Sequence, residues 1–205
     1  MNCNELTISR GNTKLHSIKN FNLPPGKSCP NCNSCIKECY AMKAWKQYPS
    51  VRESWGRNFR IANDSLEETE RQIEAKLSRS RPEYFRIHSS GDFYSQEYYD
   101  MWVRIAEFFP DTNFLAFTKS AFDYADKPDN LSIVISLFPS TDQVDTDAHS
   151  HLPRAYADGM EKHLHHRRKY ERVHECPYND HSGDCDSCKL CWHLKPMDAV
   201  HFDKH

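Results

Sequence analysis

The chain has 205 residues, a length suited to one α/β domain (1–205) with a sizeable core. A formal net charge of -2 gives no electrostatic case for nucleic acid. No apolar run reaches membrane-spanning length, and MNCNELTISR lacks the charged-then-apolar layout of a secretion signal, so a cytoplasmic site with reduced thiols is expected.

Cys3 stands alone near the N-terminus and reads as a bland residue. The first dense feature is CPNCNSCIKECY, residues 29–40, which places Cys29, Cys32, Cys35 and Cys39 at C-x2-C-x2-C-x3-C spacing. Ser65-Leu-Glu-Glu68 then has the form of a capping box and predicts a helix with Leu66, Ile73 and Leu77 on one face. Arg81-Pro82 ends it. EYFRIHSS, 83–90, predicts a short strand running into a Ser-Ser-Gly turn. Ser95 caps a second helix, with Tyr98, Met101, Trp102, Ile105 and Phe109 at helical spacing.

NFLAFTKS (113–120) and LSIVISLF (131–138) predict two further strands, the latter apolar enough for a parallel strand buried on both faces. Residues 140–175 give little pattern. Within them EKHLHHRRKYERVH, 161–174, carries His163, His165 and His166. It reads as a solvated helix face, with a phosphate-backbone contact as the lesser alternative. Last come Cys176, Cys185, Cys188 and Cys191, spaced C-x8-C-x2-C-x2-C, and a terminal VHF strand.

This alternation is βαβ arithmetic. The chain is short for a closed eight-fold barrel of about 250 residues, so a partial or open TIM-like barrel with cysteine-rich ends is expected. In such folds the carboxyl ends of the strands line the site. His88, Ser90, Gly91 and Asp92 follow the first predicted strand, Thr118, Lys119 and Ser120 the second, and Ser136 lies near the end of the third. His88, Asp92 and Lys119 are therefore pocket candidates.

Clustering at both ends, with no cysteine between Cys39 and Cys176, is the pattern of metal ligation rather than of scattered disulfides. Each end offers a C-x2-C-x2-C triad plus one outlying thiol. A cubane spreads its iron corners, so a short loop can send successive thiolates to different corners, whereas three such thiols crowd one zinc ion. One or two [4Fe-4S] clusters held by these eight cysteines are expected, with zinc as the alternative metal. The ligands divide either locally, four and four, or across the ends, or around one cluster shared by both ends.

The motif order SCP, ECYA (38–41), RIHSSGDFYS (86–95), a Trp-bearing helix, FTKS (117–120), then CP and CxxCxxCW with a terminal histidine, resembles the gene-product-eighty-eight-like family of bacteriophage proteins. The resemblance runs from about Leu23 to His205 and implies a phage source and the host cytoplasm. A more distant resemblance is to radical SAM enzymes: Tyr40 follows the cysteine loop, and Ser90-Gly91-Asp92 ends a strand. Their C-x3-C-x2-C spacing is absent, so that resemblance implies the barrel architecture more than SAM as cofactor.

Three functions remain open on the sequence. The first is an iron-sulfur protein whose cluster is structural or electron-transferring. The second is a radical-SAM-like enzyme with its pocket at the strand ends. The third is a zinc-stapled module that binds a host protein or nucleic acid.

Overall fold

The computed structural model describes residues 4–32, 35–138, 147–158, 170 and 172–203. Its eight strands join one open sheet in the order β1-β2-β3-β4-β5-β6-β8-β7. They are β1 (Ile8–Ser9), β2 (Lys19–Phe21), β3 (Tyr84–Ile87), β4 (Asn113–Thr118), β5 (Leu131–Ser136), β6 (Arg154–Ala157), β7 (Arg172–Glu175) and β8 (Asp198–Phe202). Among the described residues only β1 and β2 pair antiparallel; every other neighbouring pair is parallel.

The predicted helices form as α3 (Leu66–Ser80) and α4 (Gln96–Phe108). Ser65 caps α3 by accepting from the Glu68 amide at 3.1 Å, a contact that contributes about 1 kcal/mol. The capping box is only half made. The Glu68 carboxylate turns instead to Arg71 and Gln72, each at 2.7 Å. Ser95 caps α4 through the Tyr98 amide at 3.2 Å.

Two helices precede them, α1 (Tyr40–Gln47) and α2 (Pro49–Asp64). Their seam is a Trp45–Trp55 stack, and α2 grips the N-terminal segment through buried Asn58, which donates to the Thr7 and Asn22 carbonyls.

The 161–174 reading needs correction. Residues 172–175 form the parallel edge strand β7, because their backbone pairs with β8. The remainder of that stretch, with His163, His165 and His166, lies outside the described residues except Tyr170, as do Cys3 and His205. The VHF strand forms as expected but sits between β6 and β7 rather than at an edge.

The two faces of the sheet differ. Phe85, Ile87, Phe114, Ala116, Ile133 and Ile135 face the helices, packing with Ile73, Leu77, Tyr98, Met101, Trp102 and Ile105. Each fully buried side chain of this size contributes about 1.5–3 kcal/mol. Leu115, Val134, Ala155 and Val200 point the other way, onto Leu15, Ile18, Cys176 and Trp192. The C-terminal cysteine segment, with the loop bearing Leu15 and Ile18, thus packs on the face that the helices leave open.

Candidate metal centre

The N-terminal cysteine segment follows β2 and docks on the carboxyl ends of β3 and β4. Gly91 makes this possible. Its φ of +93° suits glycine, and a Cβ there would stand 2.7 Å from both Leu23 Cβ and Ser28 Oγ. Around it the Leu23 amide donates to the Ser90 carbonyl and the Asp92 amide to that of Ser28. Asn31 Nδ2 donates to the Lys119 carbonyl at 2.7 Å. Asn22 Oδ1 accepts from the Ser89 and Ser90 amides at 2.8 and 3.1 Å.

The C-terminal segment lies over the middle of the same face. Cys185–Cys188 forms a single helical turn, α5, capped by Asp184. Ser132 Oγ donates to the Trp192 carbonyl at 2.6 Å, and Trp192 Nε1 to that of Phe85 at 3.3 Å. The Cys185 amide donates to the Lys14 carbonyl at 2.8 Å, and Ser17 binds Asp186.

All eight cysteines of the two groups line one cavity of about 510 Å³. Within it Cys29, Cys35, Cys185 and Cys191 each feel mainly thiols of their own group. The thiols that influence Cys29 and Cys35 are Cys32 and Cys39, whereas those influencing Cys185 and Cys191 are Cys176 and Cys188. Burial pushes the Cys29 and Cys191 thiols up to about 12, so in the bare protein they hold their protons. Among the described residues no three cysteine sulfurs lie within 4.8 Å of one another; the one potential ligand group that tight is Asp158, His201 and Asp203.

Between the two sets stand Tyr40 and Arg86. Tyr40, 49% exposed, lines the cavity; its phenol donates to the Ser89 carbonyl, and burial of that group raises its pKa. The titratable groups acting on it are Arg86, Cys39, Cys35 and Cys185. Arg86 stands in register beside Leu115 on β3, with its guanidinium 4.2 Å over Phe117 and its Nε donating to the His88 carbonyl. Burial lowers its pKa, against the pull of Tyr40, Cys185 and Cys191.

The other cavity cations also rest on aromatic faces. Lys14 lies over Phe202 at 4.3 Å, Lys189 over Tyr84 at 4.5 Å, and Lys119 near Phe138 at 5.9 Å. Among the described residues none of these four cations has a carboxylate ion-pair partner.

The strand-end residues divide by role. Ser90, Gly91, Asp92, Lys119 and Ser136 line the cavity, whereas Thr118 and Ser120 are buried beside it. Asp92 clasps the ends of β3 and β4: its carboxylate accepts from Thr118 Oγ1 at 2.7 Å and from the Phe93 and Lys119 amides at 2.7 and 2.8 Å. Burial raises its pKa against those bonds. His201, which the sequence did not single out, is held by Glu175 at 2.7 Å and Asp158 at 2.9 Å. Partial burial opposes its protonation, but those carboxylates win and raise its pKa. With both ring nitrogens engaged, it latches the ends of β6, β7 and β8.

His88 lines the cavity, yet its ring packs with the helix-side core. It stacks on Tyr98 at 5.6 Å, and its Nε2 lies 2.9 Å from the Tyr98 hydroxyl. Burial first, then the Arg86 charge, push its pKa down to about 3. An unfolded histidine titrates near 6.5, so the unfolded chain binds the extra proton between about pH 6.5 and 3. The stability it contributes is full above the unfolded value and is lost as pH falls. Denaturant unfolding of wild type and His88→Asn, which tolerates the positive φ, checks this. The wild-type advantage should shrink by about 2 kcal/mol from pH 7 to pH 5.

A family model described as Gene product 88 matches residues 4–194, a span that holds both cysteine groups and every strand but β8. The Gene 88 protein of Mycobacterium phage D29 is 31% identical over 151 residues, 66% of this chain and 62% of that protein, so the match spans less than two thirds of that relative. The Gene 88 protein of Mycobacterium phage L5 is 27% identical over 213 residues, 88% of this chain and 85% of that protein. No solved structure matches.

Proposed function

The chain belongs to the gene product 88 family of bacteriophage proteins, and from that premise we propose that it is an iron-sulfur protein of the host cytoplasm. The observation that carries this reading is the convergence of eight cysteines, from both ends of the chain, on one cavity.

The donor set fits the group. Thiolates are the ligands of a cubane, and Cys29, Cys32, Cys35, Cys39, Cys176, Cys185, Cys188 and Cys191 would hold it. When bound, the cluster supplies single-electron chemistry or acts as a staple. The chain's own contribution is to tie one cysteine segment to the strand ends and the other to the sheet face, and to set Lys14, Arg86, Lys119 and Lys189 in the wall beside them. Zinc fits less well: with bonds of about 2.3 Å in a tetrahedron, its sulfurs lie about 3.8 Å apart, closer than any three cysteine sulfurs among the described residues. Among those residues no helix is long and apolar enough to cross a membrane.

The fold reading that accompanies this is a partial TIM-like barrel, supported by the parallel run from β2 to β8 with helices on one face. A second reading, a radical-SAM-like enzyme, draws on one observation: the cysteine loop follows the first parallel strand and docks where the strands end. Anaerobic reconstitution tests both. The iron-sulfur reading expects a brown protein with broad visible absorption. The enzyme reading further expects that SAM perturbs that spectrum and that reduction in its presence releases methionine or 5′-deoxyadenosine. A protein that stays colourless contradicts both.

A further inference from the structure

We infer that the cavity holds two separate four-thiol sites rather than one shared site, with Arg86 as the counter-charge at the seam between them. The inference rests on the iron-sulfur reading and goes beyond it in number, assignment and the role of a non-ligand.

Three observations carry it. First, the thiols acting most strongly on Cys29 and Cys35, and those acting most strongly on Cys185 and Cys191, come from their own group. Second, the sets are anchored apart. The N-terminal set is tied to the ends of β3 and β4 through Gly91, Ser28 and Asn31, the C-terminal set to mid-sheet through Ser132 and Trp192. A shared site would have to pull thiols past Tyr40 and Arg86, which stand between, Tyr40 pinned to Ser89 and Arg86 to His88.

Third, each thiol set has cations beside it. Four thiolates around a doubly positive cubane leave about two negative charges, so two such sites carry about four. The wall carries the cations Lys14, Arg86, Lys119 and Lys189, along with the carboxylates Glu38, Asp92, Asp184 and Asp203. Lys119 acts on Cys35, Lys14 on Cys185, and Arg86 on Cys185, Cys191 and Tyr40. Arg86 therefore faces the C-terminal set directly and the N-terminal set through Tyr40. Its positive charge favours the more reduced, more negative state of the C-terminal site.

The test uses the full chain, reconstituted anaerobically, with iron counting and redox titration followed by EPR. Wild type should bind about eight irons and reduce in two steps. Serine at Cys29, Cys32 and Cys35 together, or at Cys185, Cys188 and Cys191 together, should leave about four, with far-UV circular dichroism confirming the fold. Arg86→Gln should keep the full iron and move one step to more negative potential, leaving the other in place; Arg86→Lys should restore much of it. About four irons in wild type, all lost from either triple variant, would overturn the two-site assignment. A titration of Arg86→Gln identical to wild type would overturn the role of Arg86, even if the triple variants fail to fold. Wild type without iron would sink the iron-sulfur reading itself, a different result from either.

Discussion

Stripping the metal is expected to lower the melting temperature by on the order of 10 °C and to free both cysteine segments for protease. The size follows from linkage. A ligand present at a thousandfold its dissociation constant stabilises by about 4 kcal/mol, and in a chain this long each kcal/mol is about 2–4 °C. The place follows from packing. The helix-side core holds no thiol, whereas the open-face cluster includes Cys176, Cys185 and Cys191 and the N-terminal thiols sit at the strand ends. Burial holds Cys29 and Cys191 protonated in the bare protein, so nothing there replaces the lost bonds. Proteolysis of reconstituted and chelated protein should show new cuts near residues 26–39 and 177–195, with β3 to β5 protected. Equal melting temperatures and equal digests would contradict a metal staple.

Gly91→Ala is expected to cost on the order of 3 kcal/mol, combining the left-handed strain of an L-residue with overpacking in a tight turn. Its new Cβ would meet Leu23 Cβ and Ser28 Oγ at 2.7 Å, and Leu23 is fully buried. The segment bearing Cys29 must then move off the β3 end. Iron should fall along with stability in the variant, because the same turn seats the N-terminal thiols. Urea unfolding and iron counting on one sample check both. A stability within about 0.5 kcal/mol of wild type, the range of ordinary surface changes, would show that the docking is looser than drawn.

The legible parts of the sequence were those where apolar spacing decides burial. Helices α3 and α4 and strands β4, β5 and β8 announced themselves through Ile73, Leu77, Trp102, Ile105, Phe114, Leu131 and Val200. The silent parts are held by polar contacts. Helix α2 buries Asn58 and Ala62, and its grip on the N-terminal strand is an amide clamp, with Gln72 of α3 adding another at Leu6 and Asn4. Strand β6 opens on Arg154, buried because it donates to the Leu152 and His149 carbonyls. Strand β7 is an exposed edge whose four residues include three charged or titratable ones, so composition hid its pairing.

The candidate site was half legible. Cysteine spacing marked the thiols, and strand ends marked Asp92 and Lys119. Neither could mark Arg86, a charged residue in the middle of a predicted strand, or Tyr40, which stood out only as the aromatic residue after Cys39. The signal was the position of Arg86 itself: alternation places it on the face opposite Phe85 and Ile87, where a lone cation needs a reason. The pocket reading of His88 weakens for the opposite cause, since its ring belongs with Tyr98 and Trp102.

Quantitation of iron, acid-labile sulfide and zinc in the anaerobically purified full chain tests the central claim most directly. Two cubanes in two thiol sets require iron and sulfide in equal amounts, about eight of each per chain, with zinc at trace level. One zinc per four cysteines with neither iron nor sulfide, from protein never exposed to oxygen, would contradict it.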